Sequence, residues 1–102
     1  MIKTTQEMLK DIVELKRLKG DMACFEINEQ SCIFIEIFAY ENKDTLNIAI
    51  EWRDSDTNEP FEATVCSYDD DREIESALDY IRRCALDDES ENNKDFDKTH
   101  LK

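Results

Sequence analysis

Residues 54–58, Asp54-Ser-Asp56-Thr-Asn58, have the D-x-D-x-N spacing with which a calcium-binding loop begins. Such a loop turns on a glycine at its sixth position and closes with a bidentate glutamate at its twelfth. Those positions hold Glu59 and Val65 here, and Pro60 interrupts the segment. The stretch is therefore expected to be a solvated turn. Cys24, Cys32, Cys66 and Cys84 are scattered, with no pair at the two- to four-residue separation of a zinc site. Each falls in an apolar run, where a cysteine behaves as a small hydrophobe, so buried free thiols are expected. The one histidine, His100, lies near the C-terminus, away from any partner for a triad or a Cys–His nucleophile. The one glycine, Gly20, leaves none for a phosphate-cradling loop. Carboxylates alone can support glycosidase or metal-dependent nuclease chemistry, but 102 residues scarcely form the cleft it needs. The expectation is no enzyme, no cofactor and no metal.

What remains is acidic side chains in quantity. Net charge is −13, resolved into +2 over residues 1–20 and −15 over the rest. A field of that sign repels nucleic acid and anionic membranes and attracts basic protein surfaces. Asp69, Asp70 and Asp71 stand together. Asp71, Glu75 and Asp79 follow at i, i+4, i+8, one line along a helix, at a cost of a few tenths of a kcal/mol for each like-charged pair. Solubility accounts for such a line; so does a surface shaped for lysines and arginines that normally hold a phosphate backbone.

The elements that position these residues follow from periodicity. Thr4-Thr5-Gln6-Glu7 reads as a capping box. Met8, Leu9, Ile12, Val13, Leu15 and Leu18 then recur at helical spacing, Lys16, Arg17 and Lys19 complement the last turn, and Gly20 suits a left-handed C-terminal cap. A helix over about 5–19 is predicted. From Met22 the period becomes two. Phe25 and Ile27, then Ile33, Ile35 and Ile37, then Leu46, Ile48, Ile50 and Trp52 define inward faces of three strands. A two-residue loop at Asn42-Lys43 pairs Ala39 with Leu46 and Ile35 with Ile50, matching core to core. A three-residue loop at Glu29-Gln30-Ser31 pairs Phe25 with Ile35 and Ile27 with Ile33. Phe61–Tyr68 reads as a fourth strand with balanced faces. Asp70 caps a second helix, with Glu73 at N3 and Ile74, Ala77, Leu78, Ile81 and Ala85 as its apolar stripe.

The predicted fold class is α+β: an N-terminal helix, an antiparallel sheet of three to four strands, a C-terminal helix and a disordered acidic tail. Residues 1–86 form one domain and residues 87–102 a flexible acidic tail, with six acids before residue 98 and no periodicity. Met1–Lys10 lacks the apolar region of a signal peptide and no span of ~18 apolar residues occurs, so a cytoplasmic location is expected.

With the isoleucines inward, Cys32, Phe34, Glu36, Phe38 and Tyr40 face the other way beside Asn47, Ala49, Glu51 and Arg53. Two helices on one side of the sheet would leave these aromatics uncovered, as an interface; helices on opposite sides would bury them. RNA-binding sheets also display aromatics, but among basic residues, and these surroundings are acidic.

The element order α–β–β–β–(β)–α resembles the layout of double-stranded-RNA-binding domains, without their basic second helix. At the same coarse level the chain is similar to small acidic inhibitors of phages and plasmids, the anti-CRISPR and anti-restriction proteins. The rhythm of Cys24–Ile37 resembles the first hairpin of type III secretion effector chaperones. The expected function is a small acidic binding protein, a stoichiometric inhibitor filling the basic nucleic-acid-binding groove of a target enzyme. Its contacts are expected from Phe34, Glu36, Phe38, Tyr40, Glu51, Asp69, Asp70, Asp71, Glu75 and Asp79. Alternatives are an immunity protein for a basic toxin and an effector chaperone.

Overall fold

The computed structural model describes residues 2–41 and 44–101, with side chains described as far as Leu86. Helix α1 spans Thr5–Arg17, strands β1 to β4 span Met22–Glu26, Ser31–Ala39, Leu46–Asp54 and Pro60–Ser67, and helix α2 spans Asp71–Leu101. The strands form one antiparallel sheet in the order β1-β2-β3-β4. The fold is α+β, as the periodicity predicts. Residues 87–101 of the expected acidic tail are given as part of α2, with their side chains outside those described, and Lys102 and the loop pair Asn42-Lys43 lie outside the described residues. No described helix is long and apolar enough to cross a membrane.

Both helices lie on the same side of the sheet. Ile33, Ile35, Ile48 and Ile50 are completely buried beneath Met8 and Ile12 of α1 and Ile74, Leu78 and Ile81 of α2. Each such side chain contributes about 1.5–3 kcal/mol of transfer free energy. The helix starts are the predicted ones. Thr4 Oγ1 accepts from the Glu7 N–H at 3.2 Å while the Glu7 carboxylate accepts from the Thr4 N–H at 3.0 Å. The Thr4 N–H, helped by the Thr4 hydroxyl, holds the Glu7 carboxyl below its ordinary range. Asp70 Oδ1 accepts from the Glu73 N–H at 3.1 Å.

The end of α1 differs by one residue from expectation. Lys19, not Gly20, takes the left-handed conformation, at φ 58°. The Lys19 N–H donates to Lys16 O at 3.1 Å and the Gly20 N–H to Leu15 O at 2.9 Å, the paired bonds of a Schellman motif. At Gly20 itself a Cβ would lie 2.6 Å from Leu15 Cδ1, the tip of a half-buried side chain that would have to turn aside. A left-handed lysine is strained by about 1 kcal/mol. Lys19→Gly is therefore expected to stabilise the protein by about 0.5–1 kcal/mol, read as a higher urea midpoint; a lower one would refute the assignment of strain.

The second hairpin has the predicted register, Ala39 with Leu46, Ile37 with Ile48, Ile35 with Ile50 and Ile33 with Trp52. The first is displaced by two residues: Phe25 pairs with Ile33 and Ala23 with Ile35. The cause is Asn28. Its Oδ1 accepts from the N–H groups of Gln30 at 2.7 Å and Ser31 at 2.8 Å, folding a longer Asx-type turn than the three residues anticipated. An even displacement keeps Phe25 on the core face, so the layers are unaffected. In β4 the balance is resolved toward Cys66, which is buried, leaving Ala63 and Val65 outward. A bulge at Trp52/Arg53 lets Phe61 pack on Trp52 with ring centroids 4.6 Å apart.

Candidate binding surfaces

With α1 and α2 on one side, the other side of the sheet carries no element among the described residues. Its cross-strand rows run Cys24–Phe34–Glu51–Ala63, then Met22–Glu36–Ala49–Val65, then Phe38–Asn47–Ser67. Phe34 and Phe38 are half-buried only by their neighbours, and Tyr40, Met22 and Val65 are 49%, 56% and 45% exposed. Phe38 and Tyr40 meet edge to face at 5.0 Å. The Arg53 guanidinium lies 4.0 Å above the Phe34 ring and is bonded to the Glu51 carboxylate. Glu51 therefore enters the surface as half of an ion pair. Glu36 has no cation paired with it among the described residues, and it stands between Met22 and Ala49 within the apolar area.

The three consecutive aspartates divide by role. Asp70 is the cap of α2. Asp69 is exposed and follows Tyr68, whose N–H donates to Leu46 O at 3.3 Å. Because Leu46 pairs with Ala39, Tyr40 and Asp69 leave the sheet at the same end. Exposed Asp21, Glu41 and Asp44 belong to the turns at that end as well.

Asp71, Glu75 and Asp79 face α1, on the helical side of the molecule. Lys16 Nζ lies 3.9 Å from Asp71, Gln6 Nε2 donates to Glu75 at 3.2 Å, and Thr5 Oγ1 donates to Asp79 at 3.3 Å. Arg83 Nε also pairs with Asp79 at 2.9 Å. The line forms one wall of an α1–α2 seam, which widens into a depression of about 460 Å³ between Thr5, Gln6, Arg72 and Asp79. Two of its three charges have a cation beside them. The ten residues singled out from sequence thus separate. Phe34, Glu36, Phe38, Tyr40 and Glu51 share the open sheet face, Asp69 and Asp70 border its end, and Asp71, Glu75 and Asp79 lie across the sheet from it. Alternation also places Ala49 and Arg53 on this face, as the structure has them, whereas sequence reasoning missed Met22, Ala63 and Val65, although strand alternation held the signal for all three.

Other expectations are resolved locally. Asp54–Asn58 is an Asx turn: Asp54 Oδ1 accepts from Asp56 N–H at 2.8 Å and Thr57 N–H at 3.0 Å. Those backbone donors, Thr57 first, hold the Asp54 carboxyl below its usual range. No three His, Cys, Asp or Glu side chains converge as metal ligands among the described residues. All four cysteines are free, but only Cys66 is buried. Cys24 is exposed and Cys32 half-exposed because alternation puts both on the open face. Partial desolvation of its sulfur, reinforced by the Cys32 thiol, raises Cys24 to about 11, leaving little reactive thiolate at neutral pH. The side chain of His100 lies outside those described. Comparison with protein-family models, with curated proteins and with solved structures gives no match, so the functional argument rests on the chain's own residues.

Proposed function

We propose that this protein is a non-catalytic, stoichiometric inhibitor, acting in the cytoplasm, that occupies the basic nucleic-acid-binding groove of a target enzyme. The observation that carries the reading is the uncovered sheet face: Phe34, Phe38 and Tyr40 stand out beside Glu36, on a chain of net charge −13. Aromatics supply desolvated anchors. Unpaired carboxylates at the Asp69 end supply the charge that a basic groove otherwise takes from phosphate. The α2 line is mostly compensated by Lys16 and Arg83, so the sheet side is the stronger candidate for contact.

The test begins with a captured partner and asks whether duplex DNA or RNA displaces the inhibitor. Displacement, and a steep loss of affinity between about 50 and 300 mM salt, are the expected results. Phe38→Ser and Asp69→Lys should each weaken the complex by about tenfold or more, whereas Glu75→Lys should change it less than about threefold. A complex indifferent to both duplex and salt would remove this reading. A dimer that held an unfolded segment through apolar contacts would point to the chaperone alternative.

A further inference from the structure

We infer that the free edge of β1 seats an extended segment of the partner, added to the sheet as a fifth strand and carrying lysines or arginines at alternate positions. The inference rests on the proposed reading that the partner is basic, and adds the conformation of the contacting segment and the place where it binds.

Two backbone bonds fix which groups of β1 turn outward. The Ile27 N–H donates to Ser31 O at 3.0 Å, and the Ile37 N–H donates to Asp21 O at 2.8 Å. The odd-numbered residues of this segment therefore bond toward β2. In an antiparallel pair the direction alternates, so Met22, Cys24 and Glu26 point their N–H and C=O groups away from the sheet. All three residues are exposed, and no loop, helix or further strand gives these groups a backbone partner among the described residues. The opposite edge of the sheet is defended. Pro60 begins β4, and the Glu62 carboxylate accepts from the Ala63 N–H at 3.2 Å, two devices that blunt an edge. Strand β1 has neither a proline nor a bulge. Donors and acceptors repeating about every 6.6 Å match the backbone of an extended chain. A helix, whose backbone groups bond one another, cannot satisfy them.

Charge says what the segment carries. On α1, Thr5, Gln6 and Lys16 bond to α2 or the turn before it. Glu7, Asp11 and Glu14, at i, i+4 and i+7, form the stripe on the other side of that helix. Lys3 pairs with Asp11 and sits 5.5 Å over the Phe25 ring, which places the stripe beside β1. On the open-face side of the same edge are Glu26 and, across from Met22, Glu36. Lys3 and Arg17 answer Asp11 and Glu14. Glu7, Glu26 and Glu36 have no paired cation among the described residues. Lys10 and Lys19 also flank this border, which stays acidic on balance. In an added strand, side chains turned toward α1 meet the acidic stripe, and those turned the other way meet Met22 and Cys24. Alternating basic and apolar residues fit both. A second copy of the chain is a poorer occupant, since β1 against β1 would bring two such stripes and two net charges of −13 together.

The test uses the full chain, isotope-labelled, with amide hydrogen exchange read by NMR. In the free protein the amides of Met22, Cys24 and Glu26 should exchange fast and those of Phe25 and Ile27 slowly. The probe is a synthetic peptide of about eight residues alternating valine with lysine. Two controls carry N-methyl groups, one on every valine amide and the other on every lysine amide, and a third has glutamate in place of lysine. An added strand bonds an edge through alternate amides only. The parent peptide is expected to slow exchange at Met22, Cys24 and Glu26, and one methylated peptide to bind about tenfold or more weakly than the other. Cys24→Pro removes an outward N–H without touching the bonds to β2, and should weaken the parent peptide by a similar factor; Glu75→Lys should leave it unchanged. The methylated peptides need no variant of the protein. Equal affinity of the parent and both methylated peptides overturns the strand and leaves the basic-partner reading standing. A glutamate peptide that binds as tightly as the lysine one overturns the basic partner in both readings. Protection of the three amides in the free protein that fades on dilution makes a second copy the occupant and overturns the inference. No binding of the parent peptide also overturns it, while displacement of the captured partner by duplex still decides the proposed function.

Discussion

Ile35→Ala will remove about 3–4 kcal/mol of stability, whereas Phe34→Ala, one residue earlier, will remove about 1 kcal/mol. Urea titrations of the two variants measure the difference directly. Ile35 is completely buried between the sheet and both helices. Truncating it forfeits transfer free energy and leaves a cavity lined by side chains from several elements, none free to collapse into it. Against the 5–15 kcal/mol typical of small domains, that loss is severe. Phe34 is the larger side chain, and a reading by hydrophobicity alone would rank it first. It nevertheless faces away from both helices, and its main protein contact is the Arg53 guanidinium at 4.0 Å. Losses of equal size would mean that the aromatic face is covered. The proposed function would then lose its footing.

Lys16→Met should cost about 2 kcal/mol, a larger loss than most substitutions of a charged residue produce. Among the described residues Lys16 is the only cation tying α1 to the start of α2. Its Nζ donates to Tyr68 O at 2.7 Å and lies 4.2 Å above the Tyr68 ring. Its side chain is 19% exposed, while that of Asp71, 3.9 Å away, is 91% exposed. The Asp71 pair is therefore worth little, and the carbonyl and the ring carry the effect. Methionine keeps the aliphatic stem but strands the carbonyl. A paired measurement on Asp71→Asn, expected to change stability by less than about 0.5 kcal/mol, separates the two contributions. If Asp71→Asn were the costlier change, the ion pair would be the true tie.

Local chemistry was legible wherever one side chain answers another close in sequence. Thr4 with Glu7 and Asp70 with Glu73 mark the two helix starts, and the isoleucine alternation fixes the β2–β3 register. Two features fell short by small, explicable amounts. Gly20 draws attention as a helix stop, but backbone bonding puts the left-handed residue at Lys19, one position earlier. The first hairpin slipped by two because alternation cannot distinguish registers of equal parity, and the Asn28 turn decided between them. The candidate site was legible as a set of residues but not as a place. A helical line of acids has no inherent direction, and only the packing of α1 shows that Asp71, Glu75 and Asp79 border a seam away from the aromatics. Glu51 likewise reads as a free carboxylate until Arg53 is seen folded onto Phe34.

The sheet order β1-β2-β3-β4 also bears on how the chain folds. Every strand pairs with its neighbour in sequence, and α2 covers the two strands that precede it. The loops to be closed are short, so this part can assemble with little entropic barrier. Helix α1 is different. Its side-chain hydrogen bonds to the rest of the molecule join residues 52 to 74 apart: Lys16 to Tyr68, Gln6 to Glu75 and Thr5 to Asp79. Contacts of such separation carry the largest closure entropy, and we predict that α1 docks after the transition state. The loss in Lys16→Met would then appear as unfolding faster by about 30-fold, with refolding unchanged. In the native ensemble α1 would be the first element to swing open, with its amides exchanging ahead of those in β2 and β3.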